Sequence, residues 1–253
     1  TMCTGANEVL TALGAEVLKP SELLDSKTRG RLSNQGVYVV EFDRVGENGR
    51  YDRTDGKSAS KADFDADPTG YESTMARYLD HFTALVNNPL WFPPQPVLVS
   101  QDMLAATVGK DGTKLRVIGD VTCDVWPEGA MAGTVKATDV DAPFYVYNPR
   151  TGKSTDGWRG PGVVVNALET MPCEVPLDAS NAFAGMLESF VPAMARGEYG
   201  KPFTQGITTL PEPIQRAAVL WQGALTPHVQ AEFGTAIQAG LAAHGSTYYD
   251  VSY

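Results

Sequence analysis

The sequence predicts an α/β fold with a mainly parallel, Rossmann-like sheet and a C-terminal helical segment. Short β-branched runs read as strands: GAEVL (14–18), GVYVVEFDR (36–44), KLRVIGDV (114–121), PFYVYNP (143–149) and GVVVNAL (162–168). Amphipathic stretches alternate with them, the pattern of strands joined by crossover helices. Two of the runs, KLRVIGDVTCD and VVVNALETMP, pass from apolar into small, hydroxylated and acidic residues. Parallel sheets bind ligands just beyond such carboxyl ends.

The chain opens TMCTGANEVLTALGAEVL. Small residues over 1–6 read as a tight turn. The apolar spacing of Val9, Leu10, Leu13, Val17 and Leu18 then predicts a short helix followed by a strand at Ala15–Leu18. A dinucleotide site has such a turn and helix, but a buried strand and a Gly-x-Gly come before them. KPSELLD reads as a loop with one helical turn. From about 45 to 70 the text is polar and offers no continuous core face, so it reads as a solvated insertion. YESTMARYLDHFTALVNN (71–88) has helical spacing at Met75, Tyr78, Leu79, Phe82 and Leu85. The prolines of PLWFPPQPVLVS forbid helix, and Ser100–Lys110 reads as a helix capped by Ser100 or Gln101. Leu177–Tyr199 reads as one long amphipathic helix, and the stretch from Pro211 onward as a last helical region. The expected division is a nucleotide domain over 1–171 and a helical segment over 172–253.

The bulk numbers narrow the function classes. The 253 residues are enough to bury a sizeable core. A net charge of -10 repels phosphate backbones and argues against nucleic-acid binding. No apolar run approaches the ~20 residues of a membrane span, so the chain reads as not transmembrane. Three cysteines without a CxxC fit a reducing compartment and give no zinc motif. The histidines, His81, His228 and His244, form no metal-spaced pair and read as structural. DFDADPTGYEST alternates acids like a calcium loop. Its sixth position is Pro68 and its twelfth Thr74, which removes the sharp turn and the bidentate ligand, so no metal site is expected. GxSxG and GxxxxGK[ST] are absent. GDVTCD remains, placing Asp120, Thr122, Cys123 and Asp124 at a strand end; the plain alternative is a strand terminus capping its own turn.

Several stretches together resemble the lysine–2-oxoglutarate reductase part of aminoadipic semialdehyde synthase, a relative of alanine dehydrogenase and the transhydrogenase nucleotide domain. They are TGANEVLTALGAEVLKPSEL, YLDHFTALVNNPLW, PVLVSQDM, VIGDVTCDVWPEGAM, PFYVYNP, LETMPCEVPLDASNAFAGMLESFVPAM and PIQRAAVLWQGALTP, in the family's order. The resemblance implies NADP, or NAD, as cofactor, lysine and 2-oxoglutarate or saccharopine as ligands, and a mitochondrial location, with the cytoplasm as the alternative. It also implies an oligomer or a subunit of an assembly. Gly5 matches the later half of the family's glycine-rich turn. Val121 matches a cofactor-lining position, and Leu168, Glu169 and Thr170 match a stretch that touches the nicotinamide side. Thr122, Cys123 and Asp124 match positions near the amino-acid substrate. In the family a strand, a Gly-x-Gly and a substrate domain carrying the proton-transfer residues precede Thr4-Gly5-Ala6. No residue of this chain matches those catalytic groups, which stay unassigned. Glu169 for Asp, Leu90 for Tyr, and Lys19-Pro20-Ser21 for the ribose-binding acid are departures. Lys19 points weakly to a 2′-phosphate, while the missing glycine turn, Glu169 and Leu90 favour a non-catalytic relative kept as a structural subunit. An alanine-dehydrogenase-like enzyme for another amino acid is the third reading.

Overall fold

The computed structural model describes residues 2–244, with side chains described for 5–237. Thr1, the start of the expected turn, and everything beyond His244 lie outside the described residues. The chain divides into two compact units, Thr1–Glu174 and Val175–Tyr253.

The first unit opens on α1 (Met2–Ala12) and β1 (Glu16–Leu18), then α2 (Pro20–Leu24), α3 (Ser26–Arg29) and β2 (Tyr38–Val40). Small residues expected to turn are helical here: Gly5 lies within α1, whose hydrogen bonds need no special glycine geometry. Strands β1 and β2 pair parallel, Val17 opposite Val39. Asp25 caps α3 by accepting from the amides of Lys27 and Thr28.

The expected solvated insertion is in fact folded. β3 (Tyr51–Arg53) pairs antiparallel with β4 (Tyr71–Ser73), and α4 (Lys61–Ala66) packs Phe64 between them. Tyr51 and Phe64 are each 1% exposed. Their rings stack at 5.2 Å, and Tyr71 meets Phe64 edge-on at 4.9 Å. Three aromatics spread over twenty residues make this core, which no local window reveals. The alternating acids serve caps and pairs: Asp63 bonds the N-cap Ser60, Asp65 pairs with Arg44 at 2.7 Å, and Asp67 receives Thr69.

The helix expected over 71–88 does not form. That stretch is β4, two single 3₁₀ turns (Met75–Arg77 and Leu79–His81) and β5 (Ala84–Asn87). Met75, Tyr78 and Leu79 are buried as their spacing demanded, but in turns rather than on a helical face. α5 (Gln101–Thr107) follows with Ser100 as N-cap, its hydroxyl accepting from the Met103 amide.

The central sheet adds β6 (Val117–Asp120), β7 (Tyr145–Asn148), β8 (Lys153–Asp156) and β9 (Val163–Asn166), in the order β5-β6-β9-β7-β8. Strands β5, β6 and β9 are parallel, while β7 and β8 form an antiparallel hairpin at its end. The architecture is a mixed α/β fold. One face of the parallel strands, Leu85, Ile118, Val163 and Val165, packs into the main core with Leu104, Met131 and Tyr145.

The second unit carries α6 (Pro176–Leu187), α7 (Val191–Ala195), α8 (Phe203–Gly206), α9 (Glu212–Ala217), the hairpin β10 (Leu220–Trp221) and β11 (Ala224–Leu225), and α10 (Pro227–His244). The single long helix expected over 177–199 is thus interrupted between Leu187 and Val191, with Pro192 fixing the new start. Trp221 closes a small core with Ile207 and Leu210.

Candidate functional site

The parallel strands end on a polar row. Asn87 of β5 sits opposite Asp120 of β6, and Gly119 of β6 opposite Asn166 of β9. Asn87 and Asp120 lie on the covered side of the sheet, 2% and 1% exposed. A carboxylate so buried needs partners, and Asp120 has them. Its Oδ1 accepts from Asn87 Nδ2 at 2.9 Å, from Thr122 Oγ1 at 2.8 Å and from the Thr122 amide at 3.3 Å. Its Oδ2 accepts from Thr134 Oγ1 at 2.7 Å. The network binds the ends of two strands to the loop that leaves β6 and to the segment that returns near Thr134.

That loop is held in a fixed shape. Cys123 stands at φ 50, in the left-handed region that side chains rarely adopt. The chain then folds back so closely that a Cβ on Gly129 would lie 2.1 Å from the Asp124 carbonyl oxygen. The Trp126 amide donates to the Thr134 carbonyl at 2.8 Å. Tyr145 pins the return: its hydroxyl donates to the Gly133 carbonyl at 2.9 Å and accepts from the Val135 amide at 3.0 Å. Burial pushes the Tyr145 phenol up to about 12.

Val121, Thr122, Cys123 and Asp124 are half-buried along this loop, so they form a ledge at the strand end. Burial raises the Cys123 thiol above its ordinary range, and the negative charges of Glu169, Asp120 and Asp124 raise it further. The thiol is therefore protonated at neutral pH. Glu169 and Thr170 are exposed just past β9, and the Glu169 charge reaches Cys123, so the two strand exits belong to one locality. Leu168 is different. It is 3% exposed and bridged to Thr138, whose hydroxyl also accepts from the Ala167 amide at 3.2 Å. Its side chain belongs to the core, so only its backbone is left for a ligand. Gly5 is exposed in the first turn of α1, a turn with no acidic side chain.

The sequence named Asp120 and the ledge but missed Asn87 and Thr134. Asn87 fell inside the expected helix, where a strand-end role is invisible. Thr134 carries no local signal, since its partner lies fourteen residues away in the chain. Among the described residues, no group of three or more His, Cys, Asp and Glu side chains is placed to hold a metal ion, and no helix is long and apolar enough to cross a membrane.

A half-buried ledge that starts apolar at Val121 and carries hydroxyls at two strand exits offers stacking and hydrogen-bonding surface at the carboxyl end of the parallel strands. The charge at the ledge is negative throughout, which suits an ammonium group better than a carboxylate.

No protein-family model matches the chain. It is 31% identical over 230 residues to alpha-aminoadipic semialdehyde synthase of Arabidopsis thaliana, covering 88% of this chain and 21% of that protein. The mitochondrial alpha-aminoadipic semialdehyde synthases of Rattus norvegicus and Bos taurus are 26% and 25% identical, covering 87% and 85% of this chain and 24% of each relative. The chain thus spans about a fifth to a quarter of the length of the curated relatives it matches. Among solved structures, an L-alanine dehydrogenase aligns with a TM-score of 0.46 at 18% identity, covering 92% of this chain and 50% of the other.

Proposed function

We propose that this chain, a homologue of a segment of alpha-aminoadipic semialdehyde synthase, is the nucleotide-binding part of an NADPH-dependent reductase that joins L-lysine to 2-oxoglutarate as saccharopine. The observation that supports this reading is the half-buried ledge from Val121 to Asp124, held by the Asp120 network at the carboxyl end of a parallel strand. In this reading residues 1–171 form the nucleotide-binding part and 172–253 the helical segment. The location is mitochondrial, the label of the mammalian relatives, and the protein works as an oligomer or within an assembly.

The lysine ε-amine adds to the ketone carbon of 2-oxoglutarate, and loss of water gives an imine. A bound nicotinamide nucleotide supplies the hydride that, with one proton, turns this imine into the secondary amine. The residues of this chain bind and orient. Val121, the backbone at Leu168, Glu169 and Thr170 would hold the nicotinamide half, and Gly5 at the α1 N-terminus would meet the phosphates. Thr122 and Asp124 would receive the amino-acid substrate, Asp124 by accepting from an ammonium group, while the protonated Cys123 presents a neutral side wall. Positioning of this kind is the main contribution a protein makes to hydride transfer. The cations needed for substrate carboxylates, and the proton-transfer groups, come from outside this ledge.

Glu169 and Leu90, standing where the resembled family has Asp and Tyr, favour a second reading, a non-catalytic subunit of a larger assembly. The test is the full polypeptide incubated with lysine, 2-oxoglutarate and either NADPH or NADH, with product identified by mass. Saccharopine formed at the expense of NADPH supports the reductase. A folded polypeptide that binds neither nucleotide and forms no product overturns it in favour of the structural subunit.

A further inference from the structure

We propose that strand β8 is a self-association edge. Two copies of the chain join β8 to β8 antiparallel about a two-fold axis at Thr155, and Trp158 of each copy seats on Gly152 of the other. β8 ends the central sheet and, among the described residues, pairs with β7 alone. Lys153–Asp156 is exposed throughout. The Gly157 amide donates to the Phe144 carbonyl at 2.9 Å. By the alternation of an antiparallel ladder, the main-chain groups of Thr155 then turn towards β7, and those of Ser154 and Asp156 turn outward. Such outward groups are a template for another strand.

The edge is complementary to itself. Outward residues face outward residues in such a ladder, so Ser154 meets Asp156 of the second copy and the two exchange main-chain bonds. The Ser154 hydroxyl can then donate to that carboxylate, and Thr155 meets Thr155 on the axis, a favourable cross-strand pair. Lys153 falls opposite Gly157, so no like charges stand directly across the join, and Asp156 is already paired with Lys136 of its own chain. Trp158 is 68% exposed, in a loop that is held rather than loose. Gly157 (φ 98) and Gly160 (φ 151) take conformations that side chains rarely adopt, and a Cβ on Gly162 would lie 2.2 Å from the Tyr147 carbonyl oxygen. Counted on in the same register, Trp158 comes opposite Gly152 of the second copy, where a Cβ would meet nothing within 4 Å. An aromatic laid over a cross-strand glycine stabilises sheet edges, and tryptophan is enriched among the side chains that dominate interfaces. A two-fold join makes every one of these contacts twice, which commits the edge to a second copy of this chain rather than a foreign strand. The inference rests on the oligomer in the proposed function and gives it an interface; it does not depend on the reductase activity.

Cysteine pairing in the full polypeptide tests it. The two Thr155 residues form a non-hydrogen-bonded pair with Cα atoms ~4.5 Å apart, within reach of a disulfide. The two Lys153 residues lie four positions out of register, roughly 14 Å apart, and cannot be bridged. Under mild oxidation T155C is expected to give a disulfide-linked dimer, while K153C and the unsubstituted polypeptide give at least tenfold less. Trp158→Ala in the T155C background is expected to lower the dimer yield about tenfold. A T155C polypeptide that folds but stays monomeric overturns the proposal and means that another strand, or none, occupies the edge. Equal yields from T155C and K153C overturn the register, and a yield unaffected by Trp158→Ala overturns the seat on Gly152. None of these outcomes alters the saccharopine assay, so the two readings fail separately.

Discussion

Replacing Asp120 with alanine tests the account of the strand end. The side chain is 1% exposed and accepts four hydrogen bonds, from Asn87, the Thr122 hydroxyl and amide, and Thr134. Thr122 is half-buried and finds water when the carboxylate goes. Asn87 and Thr134 are fully buried and are left without that acceptor. An orphaned buried donor costs about 1–3 kcal/mol, so the expected loss is about 3–5 kcal/mol. For a chain of this size that lowers Tm by roughly 10 °C. Asp120→Asn keeps the shape and one acceptor, and the threonine hydroxyls rotate to accept from its amide, so about 1–2 kcal/mol is expected. Urea denaturation of the three proteins measures both values. A loss below about 1 kcal/mol for the alanine variant would refute the argument, because it would mean that the buried donors do not depend on Asp120.

Phe64→Ala empties the centre of the Tyr51–Phe64–Tyr71 stack and is expected to cost about 3–5 kcal/mol in denaturant melts; a neutral effect would restore the solvated-loop reading. Glu169→Gln removes a negative charge that disfavours the Cys123 thiolate, so iodoacetamide alkylation of Cys123 is expected to move to lower pH, and an unchanged profile would separate the two strand exits. Tyr145 binds its proton more tightly when folded, with an ordinary value of 10.0 raised to about 12. Its contribution is intact below the unfolded value and is lost as pH rises through that window, roughly 2–3 kcal/mol by pH 12. Tyr145→Phe removes that limb of an alkaline stability curve. Gly129→Ala forces a Cβ against the Asp124 carbonyl and is expected to loosen the ledge, seen as faster amide exchange at Thr122 and Cys123.

The legible parts of the fold were those whose signal is local. The runs around Ile118, Tyr145–Tyr147 and Val163–Val165 are strands because β-branched and aromatic residues fill a buried sheet. Helix α5 begins where Ser100 offers its hydroxyl. The misread parts depend on partners far along the chain. Met75, Tyr78, Leu79, Phe82 and Leu85 satisfy a helical period, yet Leu85 is drawn into a strand by pairing with Ile118. Tyr51, Phe64 and Tyr71 build a core across a polar text. Strand β8 is exposed throughout and carries only Lys153–Asp156, so nothing apolar announced it. At the site, Asp120 and Thr122 stood out because a strand ended there, while Asn87 and Thr134 became visible only when the sheet brought them to the same carboxylate. The burial of the Leu168 side chain was not legible either, because it depends on the bridge between its strand exit and Thr138, thirty residues earlier.

The ledge itself is tested most directly through Cys123. In the full polypeptide, NADPH is expected to slow alkylation of this thiol saturably, at concentrations that match nucleotide binding measured independently. Binding of NADPH with no change in the Cys123 rate would place the nucleotide elsewhere and contradict the account.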